Sequence, residues 1–280
     1  MRISVVTISF NQAEFLREAI DSVVTQSHDD IDYVVVDPGS TDGSREIVKS
    51  YGNRISNVVF ERDSGPADGL NKGFALATGE FFGCVNADDK LLPGALARVN
   101  EVFTKNPGAE IVLGNCNVID EKSRLKRKLF ADPFQLRRLS FGSMTFGQPS
   151  VFFRRSAFEE VGGFNSENKV CWDLELMVDF GIARKQFQRV NAFLSCFRIH
   201  SKSITGSGNK SPKHFEFLRE SDRLFTKAMG REKSWYDSLL WGEARFEKWL
   251  LNPMNILANV EASAIKLSFL HPPTFSRDNM

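Results

Sequence analysis

The chain has 280 residues of ordinary globular composition, 42% hydrophobic and 25% charged, enough for one large domain or one domain plus an extension. A net charge of +1 leaves no basic excess to neutralise phosphates, which argues against nucleic acid as the main partner. Cys84, Cys116, Cys171 and Cys196 form no C-x-x-C pair and read as reduced thiols of a cytosolic protein, with neither a zinc site nor a disulfide framework.

Arg2 to Ser9 reads as a first strand, and it follows the start directly, with no secretory pattern. Asn11 is placed to cap the next helix, with Glu14 reaching back and Phe15, Leu16, Ala19, Ile20 and Val23 at helical spacing. Tyr33 to Val36 is a second strand, ending in the turn-forming run Asp37-Pro38-Gly39-Ser40-Thr41-Asp42-Gly43-Ser44, in which Asp42 would cap a helix through Tyr51. A short strand over Asn57 to Glu61 and a helix over Gly65 to Ala77 come next. Phe81 to Val85 is apolar throughout and runs straight into Asn86-Ala87-Asp88-Asp89, as befits the middle of a parallel sheet covered on both faces. Its carboxyl end is where open α/β sheets bind ligands. Adjacent acids call for a cation nearby, either a basic side chain or a metal held with a diphosphate. The alternative is a solvated loop in which Asp89 caps the helix from Pro93 to Asn106.

Glu110 to Gly114 continues the strand-helix alternation of a mostly parallel sheet with right-handed crossovers. Thereafter the pattern loosens: a basic hairpin over Ser123 to Phe130, a strand over Ser150 to Arg154, a helix over Trp172 to Phe180, and strand-like runs from Gln186 to Ile199. Ser201 to Pro212 reads as a polar loop or lid, and the rest as helices. The aromatic stripes there (Phe215, Leu218, Leu224, Phe225, then Trp235, Leu239, Phe246, Trp249) read as packing surfaces against the sheet, with a third helical stretch over Ile256 to Leu270. Apolar residues left over among the Lys and Arg predict a second, exposed face, for a membrane surface or for a homodimer. No apolar run approaches the ~18 residues of a membrane span.

A parallel sheet would gather Ser9-Phe10-Asn11, Asp37 to Gly43, Ser64 to Lys72 and Asn86 to Asp89 around one crevice. No G-x-G-x-x-G follows the first strand, and neither a P-loop nor a G-x-S-x-G elbow occurs, so a dinucleotide cofactor, P-loop hydrolysis and a serine nucleophile are set aside. Acids, amides and a lysine remain, which suits a metal-bound nucleotide sugar.

Five segments occur in register: Val5 to Asn11, Asp37 to Ser44, Asp63 to Gly73, Ala77 to Asp89, and Gln148 to Phe164 with its Val161-Gly162-Gly163-Phe164. Together they resemble the GT-A glycosyltransferases of the large inverting family, the family 2 type, over about residues 1–205, leaving 206–280 as a helical C-terminal extension. The resemblance implies an α/β GT-A fold with a Rossmann-like, mostly parallel sheet. It implies inverting transfer of a sugar from a nucleoside diphosphate donor, commonly a UDP-sugar, to a hydroxyl of a glycan or lipid-linked precursor, with Mg2+ or Mn2+ as cofactor. It makes Asp173 the general base, and Asp88 the metal-holding acid, with His200 a further metal or phosphate contact. Thr7, Ser9 and Asp37 would line the nucleotide pocket, Asp68 and Lys72 would face the donor sugar and diphosphate, and Asn86 stands at the first acid of the D-x-D motif. Such an enzyme would sit in the cytoplasm, at the inner membrane surface where its acceptor is a lipid.

The residues by themselves also allow plainer roles: Asp37 capping its own turn, Asp173 capping the helix that follows, His200 structural, Lys72 an ordinary surface lysine. Glu175 is the rival base, but on a helix it points away from Asp173. Three positions depart from the family pattern, Pro38 after Asp37, Asn86 for an acid and Leu70 before Asn71. Asn86 and Pro38 keep open a non-catalytic transferase-fold scaffold, and a nucleotidyltransferase is the other enzyme class that holds nucleotide phosphates with paired acids.

Overall fold

The computed structural model describes residues 1–201, 203 and 212–255, with the backbone alone at 213. The expected loop over 201–212 thus lies largely outside the described residues, and the helical stretch over 256–270 wholly outside them. Nine strands form one sheet: β1 Ile3–Ile8, β2 Ile31–Val36, β3 Asn57–Val59, β4 Phe81–Cys84, β5 Lys90–Leu91, β6 Ile111–Ile119, β7 Leu125–Leu129, β8 Val151–Arg154 and β9 Phe187–Arg198. Their spatial order is β3-β2-β1-β4-β8-β6-β9-β5, with β7 paired on β6.

The first four strands are parallel, as their spacing predicts. The expectation that β6 extends this parallel run is corrected. β8 lies antiparallel between β4 and β6, with Phe82 opposite Phe153 and Val112 opposite Phe152. Strand-helix alternation shows that strands exist but not which edge each one fills, and β8 returns from the β6–β7 hairpin into the free edge of β4. A Cβ on Gly83 would stand 2.5 Å from the Phe152 ring, so glycine is what lets these two strands close.

Helices cover both faces: α1 Ala13–Val24, α2 Ser44–Ser50 and α4 Ala95–Lys105 on one side, α3 Pro66–Leu76, α6 Arg155–Glu160 and α7 Trp172–Ile182 on the other. Successive strand residues point to opposite faces, so Phe81 stacks on Phe103 of α4 while Phe82 stacks on Phe74 of α3. Many of the phenylalanines meet on the α3 side, where Phe74, Phe82, Phe153, Phe158 and Phe164 pack ring against ring.

α1 is not capped by Asn11 as expected. Asn11 adopts a left-handed conformation (φ 53°) and its Oδ1 accepts the Thr41 N–H at 2.9 Å. The first-turn N–H of Ala13 is taken instead by Asp42 Oδ2 at 2.9 Å, while Asp42 Oδ1 accepts from the Ser44 N–H at the start of α2. One carboxylate therefore serves two helix starts and joins the loops after β1 and β2.

The C-terminal helices α8 Pro212–Met229 and α9 Asp237–Leu251 pack on α7 and on the short helix α5 Leu136–Ser140. Apolar contact between them and the rest is small, centred on Phe141, Phe225 and Ala244, with Leu240 and Trp241 alongside. Polar ties carry much of the join. Arg137 pairs with Glu243 and Glu247, and the Asn252 carboxamide donates to Asp132 Oδ1 at 2.7 Å. The stripes expected to pack on the sheet are corrected: before and along α9, Trp235 is 77% exposed and Leu239 70%, with Phe246 and Trp249 on the outside as well, and of the α8 stripe only Leu224 and Phe225 are buried while Phe215 and Leu218 are exposed. The narrow Ala244 face docks because small residues allow close approach, and this turns the large side chains outward.

Glu175 on α7 is 1% exposed and is held by Arg223 and Lys227 of α8 and by Asn165 and Asn168. Burial by itself would raise its carboxyl, but the hydrogen bonds from Arg223, Asn168, Lys227 and Asn165 outweigh that and hold it down to about 2. Since the folded value lies below the ordinary one, its stabilisation is complete above roughly pH 4.5 and is lost as the pH falls toward 2. In urea titrations the gap between wild type and Glu175→Gln is expected to be about 2–3 kcal/mol at neutral pH and to close progressively below pH ~4.5. A gap independent of pH would show that the ion pairs contribute nothing.

Candidate active site

Because β1 to β4 are parallel, their carboxyl ends open on one rim, and the loops that follow them are tied together there. The Ser9 N–H bonds to the Val36 carbonyl, the Ala87 N–H to that of Ile8, and the Asn11 N–H to Ser40 Oγ. Phe10 projects from this rim, 60% exposed.

Asp37 is fully buried at the end of β2. Its Oδ1 accepts from the N–H groups of Gly39 and Ser40 and from Arg45 Nε at 3.2 Å, so it does cap its own turn. Its Oδ2 is buried without a partner among the described residues, as is Ser9 Oγ. A buried, unpaired oxygen is costly, and a ligand that donates to it relieves that cost. Thr7 lies deeper, fully buried, and its hydroxyl accepts from Tyr33 at 3.0 Å, which makes it a support beneath the rim.

At the start of α3, Asp68 and Lys72 meet each other at 3.4 Å. The Ser64 N–H and Lys72 together hold the Asp68 carboxyl below the usual carboxylate range. Lys72 also donates to the Arg62 carbonyl. A second cation, absent from the sequence reading, stands over this segment: the Lys169 side chain crosses Gly65, with its Nζ 3.4 Å from Ser64 Oγ.

After β4 the two acids part. Asp88 Oδ2 lies 3.0 Å from His200 Nε2, so residues 112 positions apart meet at the rim. The His200 ring also packs on Phe15. Asp89 turns inward and does not cap the next helix. It is 1% exposed, and Oδ1 accepts the Arg198 N–H at 2.9 Å. Burial, and then the charge of Asp88, push the Asp89 carboxyl well above its ordinary value. The Asn86 amide donates to Asp89 and to Gln148 Oε1, leaving its own Oδ1 buried and unpaired among the described residues. Gln148 in turn donates to the carbonyl and Sγ of Cys84.

Arg198 is the other site residue the sequence did not reveal. Its guanidinium donates to the carbonyls of Asp88 (2.8 Å) and Asp120 and to Ser123 Oγ, pairs with Glu18, and lies over the Phe15 ring. Position two before a histidine is its only sequence signal.

Asp173 is half-buried at the start of α7, where Cys171, not Asp173, holds the cap position. Burial raises its carboxyl above the usual range. Its charge and that of Asp89 both act on the Cys84 thiol and help push it up. Glu175, the rival base, is engaged in its ion pairs.

The donor set suits a hard divalent ion completed by phosphate oxygens: one carboxylate on Asp88, one imidazole on His200, and the orphaned Asn86 Oδ1 nearby in sequence. Among the described residues no group of three or more His, Cys, Asp or Glu gathers, so the protein would supply only part of such a coordination shell.

The family model described as glycosyl transferase family 2 matches residues 4–162. An uncharacterized glycosyltransferase of Nostoc sp. is 34% identical over 210 residues, 71% of this chain and 65% of that protein, so the chain spans about two thirds of that relative's length. A PGL/p-HBAD biosynthesis glycosyltransferase of Mycobacterium bovis is 30% identical over 62% of this chain and 68% of its own. In structure the chain is similar to S. aureus TarS 1–349 in complex with UDP-GlcNAc (TM-score 0.63, 17% identity, 96% of this chain and 77% of that one). It is similar also to the mannosyltransferase PcManGT of Pyrobaculum calidifontis in complex with GDP-Man and Mn2+ (TM-score 0.61, 18% identity, 95% and 76%). By its sequence and its GT-A fold, this chain belongs to glycosyl transferase family 2 and is a glycosyltransferase.

Proposed function

We propose that the protein moves a sugar from a nucleoside diphosphate donor, a UDP-sugar on this reading, to a hydroxyl of a glycan or lipid-linked acceptor, with inversion at the anomeric carbon. The observation that carries it is the Asp88–His200 pair, 3.0 Å apart at the carboxyl ends of the parallel strands, and on this reading the half-buried Asp173, its carboxyl raised by burial, serves as the base. A base with a raised value beside the leaving-group site suits proton removal near neutral pH. The Asp173 carboxylate takes the acceptor proton as the hydroxyl oxygen bonds to the anomeric carbon. The bond from that carbon to the diphosphate oxygen breaks, and its electron pair leaves with the diphosphate. Asp37 Oδ2 and Ser9 Oγ would receive the nucleoside, and Lys72 and Lys169 would face the diphosphate. Asp88 and His200 would hold Mg2+ or Mn2+, which when bound supplies charge neutralisation for the leaving group. TarS and PcManGT, with their UDP-GlcNAc and GDP-Man, support a nucleotide-sugar donor for this chain.

Two measurements test this. Calorimetric titration with UDP and GDP is expected to show binding strengthened by Mn2+, and Asp173→Asn should keep that binding while cutting turnover of a UDP-sugar by ~100-fold or more. Metal-independent or absent binding would favour a scaffold, release of pyrophosphate from a nucleoside triphosphate and a sugar phosphate would favour a nucleotidyltransferase, and near-normal turnover by Asp173→Asn would remove the base.

The exposed face of α9 supports a surface role beside this site, either at a membrane bearing a lipid-linked acceptor or against a second copy of the chain. No described helix is long and apolar enough to cross a membrane. Leu239→Ser combined with Trp249→Ser should change stability by no more than about 0.5 kcal/mol each, since both side chains are exposed. It is expected to reduce flotation with lipid vesicles or to shift the mass seen by light scattering from dimer to monomer. No change in either would leave the face an ordinary surface.

A further inference from the structure

The first turn of α7 carries two carboxylates with opposite surroundings. Asp173 is half-buried with its carboxylate beside the Leu174 N–H, whereas Glu175 is buried and receives hydrogen bonds from four side chains. Residues two apart on a helix point about 200° apart, so whatever holds Glu175 grips α7 from the side opposite Asp173. That grip comes mainly from α8: Arg223 spans both carboxylate oxygens, with Nη1 3.0 Å from Oε1, and Lys227 Nζ sits 2.9 Å from Oε1 and also pairs with Asp179 one turn further along α7.

Apolar packing holds the start of α7 through Trp172, whose ring meets Phe164, and through Leu176 and Met177 in the core, while its polar ties are few. Cys171 makes no side-chain cap, and the N–H groups of Val170 and Cys171 are taken by Asn168 Oδ1 at 3.2 and 3.0 Å. The same Asn168 donates its Nδ2 to Glu175 at 2.8 Å. The loop before α7 is anchored at its far end by Asn71 of α3, which bonds both the carbonyl and the N–H of Phe164. Glu175 is thus where the entry loop, the helix start and α8 are joined. A well-packed apolar side chain serves stability as well as a buried ion pair does, so the retained charges are better accounted for by the single placement they impose.

We propose that α8 acts in catalysis through Glu175, with Arg223 and Lys227 fixing the first turn of α7 so that Asp173 is aimed at the acceptor hydroxyl. Glu175, Arg223 and Lys227 are positioning residues, and this role rests on Asp173 being the base. It assigns the C-terminal helices a part in the reaction that is separate from the exposed face of α9. Glu175 leaves no room for α8 to detach without stranding a buried charge, which is how a contact remote from the rim reaches the base.

The test uses the full chain with Arg223→Gln, Arg223→Lys and Asp173→Asn. The probes are UDP with Mn2+ for binding, a panel of UDP-glucose, UDP-GlcNAc and GDP-mannose for donor hydrolysis, and carboxyl 13C shifts for the titration of Asp173. Arg223→Gln is expected to move the Asp173 titration midpoint by about half a pH unit or more and to lower hydrolysis kcat roughly 10- to 100-fold, with KM and UDP affinity within about twofold. Arg223→Lys, which keeps a cation beside Glu175, should recover most of both. An Asp173 titration curve that superimposes on wild type overturns the proposal, as does a loss of UDP affinity in step with kcat, which would mark a general structural role. Asp173→Asn that hydrolyses donor at the wild-type rate would instead remove the base itself, a failure distinct from an intact base indifferent to Arg223.

Discussion

Asp89 and Arg198 are each almost fully buried, and taking a charge from water costs several kcal/mol unless the interior returns the lost hydrogen bonds. The turn at 86–89 is built around returning them. Asp89 receives the Arg198 N–H and the Asn86 amide, while the Arg198 guanidinium finds the Asp88 carbonyl, Ser123, the Asp120 carbonyl and Glu18. Four separate segments converge on that one pair. Asp88 and His200 are a residue or two away on either side, so their meeting at 3.0 Å follows from the buried contact beneath them.

The same contact accounts for one departure from the family pattern, and the aromatic core accounts for a second. An aspartate at 86 would add a third acid beside the raised Asp89 and could not donate to it, whereas the Asn86 amide donates both to Asp89 and to Gln148. Leu70 is fully buried in the aromatic core with Phe74 and Phe82, where an arginine would bury an unpaired charge. The cations stand instead at Lys72 and Lys169, on the solvent side of α3. For Pro38 the structure offers no comparable reason beyond Arg45, which supplies Asp37 with a charged partner.

A second buried carboxylate, Glu175, ties α7 to α8 much as Asp89 ties the 86–89 turn to β9. Both are unavailable for chemistry because they are spent on holding a neighbour: Asp89 is next to Asp88, and Glu175 is one residue removed from Asp173. In each place an exposed or half-exposed acid is paired with a buried one, and the buried one carries the alignment.

The sequence by itself determined the strands β1 to β4 and β6 to β9, the helices α1 to α4 and α7, the polar loops and the resemblance carried by five segments, because periodicity and turn chemistry are written in neighbouring residues. Asp88 could be singled out for the same reason, and Asp37 and Asp173 through that resemblance. The tertiary structure alone decided that β8 enters antiparallel, that Asp42 rather than Asn11 serves α1, that the aromatic stripe of α9 faces outward, that Arg198, Gln148 and Lys169 stand among the candidate site residues, and that Glu175 is spent on joining α7 to α8. Each of those depends on which distant group supplies a hydrogen bond, a counter-charge or an edge. Partners 48 to 180 positions apart, as for Arg223 with Glu175 and Arg198 with Glu18, leave no periodic trace along the chain.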